Sequence, residues 1–218
     1  MQASTPLDDA IAAGVADLRQ ELPVGAVVKL ARLLAELERW NRRINLTAIR
    51  DPEAMVSGHV LDSLAIRGLL GGRRILDIGT GAGFPGLPLA IAEPGLSFEL
   101  LDSNARKIGF VRHIIGELRL DNATPVNARA EDYAPAERFD TVIARALASV
   151  PKILKLAGHL VKEGGVLLAL KGKDPAAELV STMELSGWNY VVTKVTVPGL
   201  ESHARHVVCL HKQIVDAA

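Results

Sequence analysis

The sequence has only one cysteine and no net charge, and each of these two features argues against a class of protein. Its one cysteine, Cys209, cannot form an internal disulfide framework or a cysteine-rich zinc site, which fits a reducing compartment. The 25 basic and 25 acidic residues leave a formal charge of +0. Binding of nucleic acid by global attraction, as in histones, is therefore disfavoured, and any such binding needs a local basic surface.

Long apolar runs are also missing. No stretch reaches the length needed to cross a bilayer, and the N-terminus lacks the basic stretch and apolar core of a signal peptide. We therefore expect a soluble, cytoplasmic protein without membrane association. A chain of 218 residues, 49% of them apolar, can form one sizeable core and a modest extension, but a second full domain is not expected.

A glycine-rich segment is the most informative feature that is present. Gly79, Gly81 and Gly83 alternate directly after a short apolar run that contains Asp77. Glycine has no Cβ atom, so it can adopt positive φ angles and let the backbone approach a ligand closely. The spacing D-x-G-x-G-x-G is typical of S-adenosylmethionine (SAM) sites, whereas dinucleotide sites read G-x-G-x-x-G. We predict SAM as the cofactor, with Asp77 by its methionine end; an NAD-dependent oxidoreductase is the alternative.

A second acid supports this site. Asp102 ends the predicted strand 98–102, about 20 residues past the loop, where an acid can accept hydrogen bonds from ribose hydroxyls. The alternative is that Asp102 or Ser103 caps the predicted helix 105–118.

A third candidate is Ala130-Glu131, which follows the predicted strand 124–129. Here the acid can receive the adenine amino group, while a backbone N–H meets an adenine ring nitrogen. Its position after the third strand favours a cofactor contact over an ordinary acidic turn.

From residue 73 onward, short apolar runs alternate with helical segments, which predicts an α/β fold. The predicted strands are 74–78, 98–102, 124–129, 139–145, 166–171, 190–197 and 206–211. The predicted helices between them are 87–92, 105–118, 150–161 and 174–186. Such helices imply right-handed crossovers and a mostly parallel sheet, whereas the last two strands, which lack a helical spacer, should form an antiparallel hairpin. This is the Rossmann-like arrangement of class I SAM-dependent methyltransferases.

The first third of the chain has a different pattern. Apolar residues at helical spacing predict a helix that starts after Thr5-Pro6 and further helices at about 24–41 and 52–70. No flexible linker is visible. We therefore predict an N-terminal helical extension, residues 1–70, packed on a SAM-binding methyltransferase domain, residues 71–218.

Residues that other methyltransferases need are absent, and these absences limit which atom can accept the methyl group. Methylation of a pyrimidine at C5 needs an attacking cysteine, but Cys209 lies in the final strand and is better explained as a small core residue. Methylation of the adenine amino group usually accompanies an Asp/Asn-Pro-Pro-Tyr/Phe loop, and residues 143–148 read Ile-Ala-Arg-Ala-Leu-Ala instead. Guanine N7 fits both absences, because its lone pair carries no proton and requires no general base.

Arg145, in this same loop, is the candidate catalytic residue. Its guanidinium can fork onto guanine O6 and N7, bind a phosphate or hold the cofactor carboxylate. The alternative is a surface ion pair.

Basic residues cluster at two places that are candidate RNA contacts. Arg39, Arg42 and Arg43 surround a tryptophan near the end of the second predicted helix. Lys171 ends the fifth predicted strand and Lys173 follows it; solvated loop charges are the alternative.

The sequence does not assign a single role to either of two clusters that contain histidine. His59 and Asp62 stand three residues apart, which suggests a buried hydrogen bond or a contact with substrate; a metal site would need more ligands, and none is predicted. His203, Arg205 and His206 form a small basic cluster near the last hairpin.

In combination these motifs resemble the bacterial small-subunit ribosomal RNA guanine-N7 methyltransferases, the RsmG or GidB family. The resemblance runs from about residue 30 to 211 and rests on Trp40-Asn41, Asn45-Leu46-Thr47, His59, Asp62-Ser63-Leu64, the segment from Asp77 to Phe84-Pro85-Gly86, Leu101-Asp102-Ser103, Ala130-Glu131, Arg145-Ala146 and Leu170-Lys171-Gly172. It implies cofactor contacts at Gly79, Phe84, Ala130, Glu131 and Arg145, with Asp102 on the ribose.

The activity that the resemblance implies is transfer of a methyl group from SAM to N7 of guanine 527 in 16S rRNA. The partner is then 16S rRNA or the small ribosomal subunit, with no obligatory protein partner. The alternatives are a SAM-dependent methyltransferase for another RNA site or a small molecule, and a non-catalytic RNA-binding module that retains an idle cofactor pocket.

Overall fold

A computed structural model describes residues 5–180 and 187–214. Its centre is a seven-stranded sheet in the order β3-β2-β1-β4-β5-β7-β6. The strands are β1 (Arg74–Ile78), β2 (Ser97–Leu101), β3 (Ala123–Val126), β4 (Phe139–Arg145), β5 (Val161–Lys171), β6 (Trp188–Lys194) and β7 (His206–Lys212). The pairs from β3 to β5 are parallel, and β7 runs antiparallel to both β5 and β6. The predicted mostly parallel sheet with a C-terminal antiparallel hairpin is confirmed.

Helices precede the sheet and connect its strands. They are α1 (Pro6–Asp17), α2 (Ala26–Asn41), α3 (Pro52–Met55), α4 (Asp62–Leu64), α5 (Gly86–Ala92), α6 (Ala105–Leu118), α7 (Val150–Ala157) and α8 (Ala176–Val180). The predicted helix 174–186 is described only as far as residue 180, and residues 181–186 lie outside the described part. Within that part, no helix combines the length and apolarity needed to span a membrane.

The N-terminal helices begin at clear capping residues. Thr5 and Asp8 form a reciprocal capping box at the start of α1, which satisfies backbone N–H groups that the first turn leaves unpaired. Gly25, with φ +80°, precedes α2, so this helix starts two residues later than predicted.

The third predicted helix is not a single regular helix. Between α3 and α4 the backbone forms a π-helical turn, Val56–Leu61, and a 3-10 turn, Arg67–Leu69, follows α4. Hydrophobic periodicity cannot distinguish such a widened turn from an α-helix. Single π-helical turns occur often at functional sites, and this one contains His59.

The boundary between α7 and β5 also differs from the prediction. β5 begins at Val161, five residues before the predicted start, because the polar segment 162–165 interrupts the apolar run that marks the strand. Gly164 has φ +71°, and the register with β4 shifts between Phe139 and Thr141. The strand therefore passes through an irregular segment that the sequence pattern does not reveal.

One cluster of buried side chains joins the N-terminal helices to the sheet. Leu30 and Leu37 of α2 belong to the same cluster as Phe98 of β2 and Phe110 of α6. Trp40 packs edge-on against Phe110, with their ring centroids 5.5 Å apart. The helices of the first 70 residues thus share a core with the sheet, while the domain boundary itself remains a prediction.

The other face of the sheet is covered by α7. Ile153 of this helix is buried with Val142 of β4 and Leu167 of β5 in a second cluster. Cys209 of β7 lies buried in the first cluster, and burial raises the pKa of its thiol. This environment is that of a small core residue, as predicted, and not of a nucleophile.

The shared core predicts that the two parts of the chain unfold together. Phe110→Ala should lower the free energy of unfolding by about 3–5 kcal/mol, because it leaves a cavity where α2, α6 and the sheet meet. Urea unfolding followed by circular dichroism should show one transition, shifted as a whole. Arg106→Ala, on the exposed side of the same helix, should shift it little. Two separate transitions would contradict a common core.

Candidate functional site

The candidate site lies at the carboxyl ends of the central strands. β1 pairs with β2 on one side and with β4 on the other, so the chain order reverses at β1. In open α/β sheets this switch point leaves a crevice between the loops that follow the strands. The loops after β1, β2 and β3 contain every predicted cofactor contact except Asp77, which belongs to β1, and Arg145, which ends β4.

The glycines of the loop after β1 all have positive φ angles, +64° at Gly79, +60° at Gly81 and +86° at Gly83. A Cβ atom on Gly83 would lie 2.2 Å from a methyl carbon of Leu87, so this glycine is required by packing. A Cβ atom on Gly81 would lie 3.9 Å from its nearest neighbour, the Gly79 carbonyl oxygen, which is an ordinary contact distance, and this position borders a cavity. Of the two positions, Gly81 is therefore the one where an added side chain would obstruct a ligand rather than the fold.

Asp77 supports this loop from beneath. It is fully buried, and its Oδ2 atom accepts hydrogen bonds from Thr80 Oγ1 at 2.6 Å and from the Gly86 backbone N–H at 2.9 Å. Burial raises the pKa of the Asp77 carboxyl to about 6. Asp77 does not line any of the cavities described below, so any effect that it has on a cofactor is transmitted by the loop.

Asp102 fixes the same loop from the side. Its Oδ2 atom accepts a hydrogen bond from the Gly81 backbone N–H at 2.9 Å, and its Oδ1 atom accepts one from the Asn104 N–H at 2.8 Å. The N-cap of α6 is Asn104, whose side chain accepts hydrogen bonds from two N–H groups of the first turn. The alternative that Asp102 or Ser103 caps this helix is therefore wrong.

Two cavities adjoin these loops. The first, of about 280 Å³, is the acid-lined cavity, whose wall includes Gly79, Asp102, Ala130, Glu131 and Arg145. The second, of about 230 Å³, is the loop cavity, and its wall includes Thr47, Gly79, Gly81, Phe84 and Arg145. All predicted cofactor contacts except Asp77 and Gly83 thus line one of two neighbouring cavities.

His59 lies at the wall of the loop cavity. Its ring stacks on Phe84, with centroids 4.6 Å apart, and its Nε2 atom lies 2.8 Å from Thr47 Oγ1. Burial lowers the pKa of His59 to about 4, so the ring is neutral at pH 7. The hydrogen bond predicted between His59 and Asp62 is replaced by the one to Thr47. Thr47 belongs to the Asn45-Leu46-Thr47 motif, but no local pattern in the sequence indicates that it contacts His59.

Asp62 instead bridges two arginines. Its Oδ2 atom lies 3.0 Å from Arg145 Nη1, and its Oδ1 atom lies 2.8 Å from Arg205 Nε. The Asp62 side chain is only 10% exposed, so Arg145 forms an ion pair at the wall of the site, not one on the open surface. The role of Arg205 was missed, because 143 residues separate it from Asp62.

The predicted RNA contacts fall into two groups. Arg39 and Arg42 pair with Glu36 and Glu38 of the same helix, but 64% and 72% of their side chains remain exposed. Arg43 is exposed as well.

Lys171 does not fit the prediction. Its ammonium donates to the Ala148 carbonyl at 2.6 Å and to Glu178 at 2.8 Å, and only 12% of its side chain is exposed. This lysine holds the loop after β4 against α8, so neither a free phosphate contact nor a solvated charge describes it. Lys173 is exposed.

A metal centre finds no support in the described ranges. They contain no group of three or more His, Cys, Asp or Glu side chains that could hold a metal ion.

Comparisons with known proteins agree with this geometry. The chain matches the family model "rRNA small subunit methyltransferase G" over residues 26–208. The ribosomal RNA small subunit methyltransferase G of Legionella pneumophila (strain Corby) is 47% identical over 172 residues, which cover 79% of this chain and 81% of the relative. That of Alkalilimnicola ehrlichii is 44% identical over 206 residues, which cover 94% and 93%.

Solved structures show the same fold. The O-methyltransferase from Bacillus cereus in complex with SAH superposes with a TM-score of 0.60 at 17% sequence identity, covering 95% of this chain and 100% of that one. The fold is therefore that of class I SAM-dependent methyltransferases, as predicted. With the family match, SAM is the cofactor, and the alternative of an NAD-dependent oxidoreductase is excluded.

The open space at Gly81 predicts that cofactor binding can be blocked without unfolding the protein. Gly81→Val should abolish SAM binding in isothermal titration calorimetry, because its side chain would occupy the loop cavity. Gly25→Val is the matched control, since Gly25 has a similar φ of +80° and open space but lies before α2. It should carry similar backbone strain and keep the wild-type affinity. If a folded Gly81→Val variant binds SAM with the wild-type affinity, this loop does not contact the cofactor.

The buried Asp77 predicts a pH-dependent stability. Its pKa is about 6 in the folded protein against an ordinary value of 3.8, so the folded state retains the proton over this range. The unfolded state binds fewer protons there, and the contribution of this carboxyl to stability is lost as the pH rises through about 6. Between about pH 4 and pH 7, the free energy of unfolding of the wild type should therefore fall relative to that of Asp77→Asn, by on the order of 3 kcal/mol.

Urea unfolding of both proteins at several pH values measures this difference. His59 titrates in the opposite sense, but it is present in both proteins and cancels in the comparison. A difference that stays constant with pH, or grows in favour of the wild type, would contradict the raised pKa of Asp77.

Proposed function

We propose that this chain, which belongs to the rRNA small subunit methyltransferase G family, transfers the methyl group of SAM to N7 of guanine 527 in 16S rRNA. The observation that carries the proposal is the family match over residues 26–208. A cytoplasmic location and the small ribosomal subunit as the substrate particle belong to the same proposal.

The cavities fit the cofactor that the family uses. Asp102 and Glu131 offer carboxylates for the ribose and the adenine amino group, and apolar side chains of Leu101, Leu147 and Leu156 line the same acid-lined cavity. A Cβ atom on Gly79 would lie 3.0 Å from Leu147, so glycine keeps the floor of this cavity open. When bound, SAM supplies a methyl group on a positively charged sulfur. The chain's own contribution is to hold the acceptor in line with that group and to exclude water.

Guanine N7 suits the groups that surround the proposed reaction centre. The N7 lone pair carries no proton, so a neutral His59 and an ion-paired Arg145 suffice at this point. Methylation leaves a positive charge on the purine ring. The Asp62 carboxylate, 3.0 Å from Arg145, offsets the positive charge of the guanidinium that would otherwise oppose it.

The exposed arginines at the C-terminal end of α2, Arg39, Arg42 and Arg43, are the proposed phosphate contacts. The Arg42–Glu38 pair is exposed, and such pairs are weak, so Arg42 can exchange its glutamate for a phosphate at little cost. Arg39 pairs with the buried Glu36, which keeps Arg32 and His113 as partners if Arg39 turns to a phosphate.

The loop that follows α2 is anchored by Asn41, whose side chain accepts hydrogen bonds from the Leu46 and Thr47 N–H groups. Because Thr47 lines the loop cavity, RNA held by these arginines would border the site. We propose that residues 1–70 form this RNA-facing extension.

A strain that lacks the gene tests the proposal. Small ribosomal subunits from this strain should accept a methyl group from SAM when the purified protein is added. Mass spectrometry of the 16S rRNA fragments should then find one 7-methylguanosine, at position 527. Arg145→Ala should bind SAM more weakly and, even at saturating SAM, transfer the methyl group much more slowly. Methylation at another nucleotide, or of a small molecule alone, would overturn the proposed acceptor while leaving the cofactor site intact.

The arginine surface makes a separate prediction. Replacing Arg39, Arg42 and Arg43 by glutamine should weaken RNA binding and flatten its salt dependence, because each phosphate contact contributes about 0.7–0.9 to the slope of log affinity against log salt. SAM affinity should be unchanged.

The matched control replaces three exposed arginines near the opposite ends of the strands, Arg73, Arg119 and Arg138. This variant should keep the wild-type salt dependence, measured by fluorescence anisotropy with a labelled 16S rRNA fragment. If the variant at Arg39, Arg42 and Arg43 keeps the wild-type salt dependence, these arginines do not contact the RNA phosphates. Lys173 is then the next candidate contact.

A further inference from the structure

A third cavity lies on the other side of Arg145. Its volume is about 330 Å³, within the range of small-molecule sites, and it lies between the π-helical turn and the paired end of β5 and start of β7. Its polar wall includes His59, Asp62, Arg145, Arg205 and His206, and its apolar wall includes Ile49, Ile66, Leu170, Val195, Val197 and Val207. The cofactor contacts described above leave this cavity unassigned apart from Arg145.

This cavity adjoins the places where the cofactor binds. Arg145 and Ala146 line it and also line both the acid-lined cavity and the loop cavity. His59 is shared with the loop cavity. Ala146 has a positive φ of +50°, an uncommon conformation for a residue with a side chain, at the point where the three cavities meet. A group bound in the third cavity therefore lies next to the methyl donor.

The carboxylate in the wall retains capacity for a ligand. Each Asp62 oxygen binds one guanidinium, Oδ1 that of Arg205 and Oδ2 that of Arg145. A carboxylate has about four lone-pair positions, so each oxygen can accept a further hydrogen bond. In the same wall, the buried His206 Nδ1 atom has no hydrogen-bond partner in the described part of the chain.

We propose that the third cavity, hereafter the base pocket, receives the target guanine and that Asp62 recognises its Watson–Crick edge. The inference rests on the proposed function. Guanine presents two adjacent donors on this edge, N1–H and the N2 amino group, and a carboxylate presents two adjacent acceptors. Adenine presents an acceptor at N1, which would face a carboxylate oxygen without a proton between them.

The same arrangement explains how N7 stays available. A guanine held by its Watson–Crick edge leaves N7 on the opposite side of the purine free of hydrogen bonds. The apolar side chains of the pocket can contact the faces of the ring, as in other enzymes that act on an extruded base. Asp62 is thus a specificity-determining residue as well as the partner of Arg145.

A substrate with inosine at the target position tests this contact, because inosine differs from guanosine only by the missing N2 amino group. Small subunits reassembled with either nucleoside are compared by single-turnover methyl transfer. The wild-type protein should prefer guanosine by about 10- to 100-fold, the value of one hydrogen bond to a charged acceptor. In Asp62→Ala this preference should fall towards one, whatever the loss in rate.

Arg205→Ala is the matched control, because it removes a partner of Asp62 but keeps the carboxylate. It should react more slowly and retain the preference for guanosine. If Asp62 only holds the two arginines, Asp62→Ala will keep the wild-type preference, and the proposal fails. It also fails if the wild-type protein does not distinguish the two nucleosides. Absence of wild-type transfer to the guanosine-containing subunit would instead refute the proposed function itself.

Filling the pocket gives a second test that leaves all charges in place. Val195→Phe, at a half-buried position in the wall, should reduce methyl transfer at least 10-fold without changing SAM affinity. Val192→Phe, at an exposed position of β6, is the control and should transfer at the wild-type rate. Full activity of Val195→Phe would show that the base binds elsewhere.

Discussion

The carboxylate of Asp62, held between two guanidinium groups, is the contact on which the site depends. It joins three parts of the fold that are distant in sequence, the helical segment before the sheet, the end of β4 through Arg145 and the start of β7 through Arg205. Removing one member of a buried ion pair leaves an uncompensated charge, which makes such contacts strongly cooperative. The position of Arg145, at the wall of all three cavities, is thereby fixed by residues outside the strand that carries it.

The glycine loop is shaped in the same way, by carboxylates of the protein itself. Asp77 accepts the Gly86 N–H from below and Asp102 accepts the Gly81 N–H from the side, so these two backbone groups are already bound. The positive φ angles of the glycines let the loop follow this path. A ligand therefore meets a loop whose conformation is set before it binds, which reduces the entropy lost on binding.

Local patterns predicted the regular elements well and the long-range contacts poorly. The bounds of β1, β4 and α6 agree with the prediction because each is a run with one clear periodicity between turn residues. The π-helical turn was missed, since its backbone widening leaves no compositional signal. The partners of Lys171 and Asp62 were also missed, because only the folded chain brings Glu178 and Arg205 to them. Roles in the site depend on such partners, so the sequence indicates which residues assemble but not which of them remain free to bind.

Pairing of charges has a further consequence for binding an rRNA substrate. Most of the cations discussed here have a carboxylate partner, as Arg39 has Glu36, Arg42 has Glu38 and Arg145 has Asp62. Binding of a phosphate must then displace a carboxylate or share the cation with it, so the electrostatic gain per contact is smaller than for an unpaired cation. With a formal net charge of +0, the chain also lacks a global electrostatic attraction for RNA. Under the proposed function, a preference for one nucleotide would come from the shape and hydrogen bonds of the base pocket, where a carboxylate that repels phosphate can still select a base.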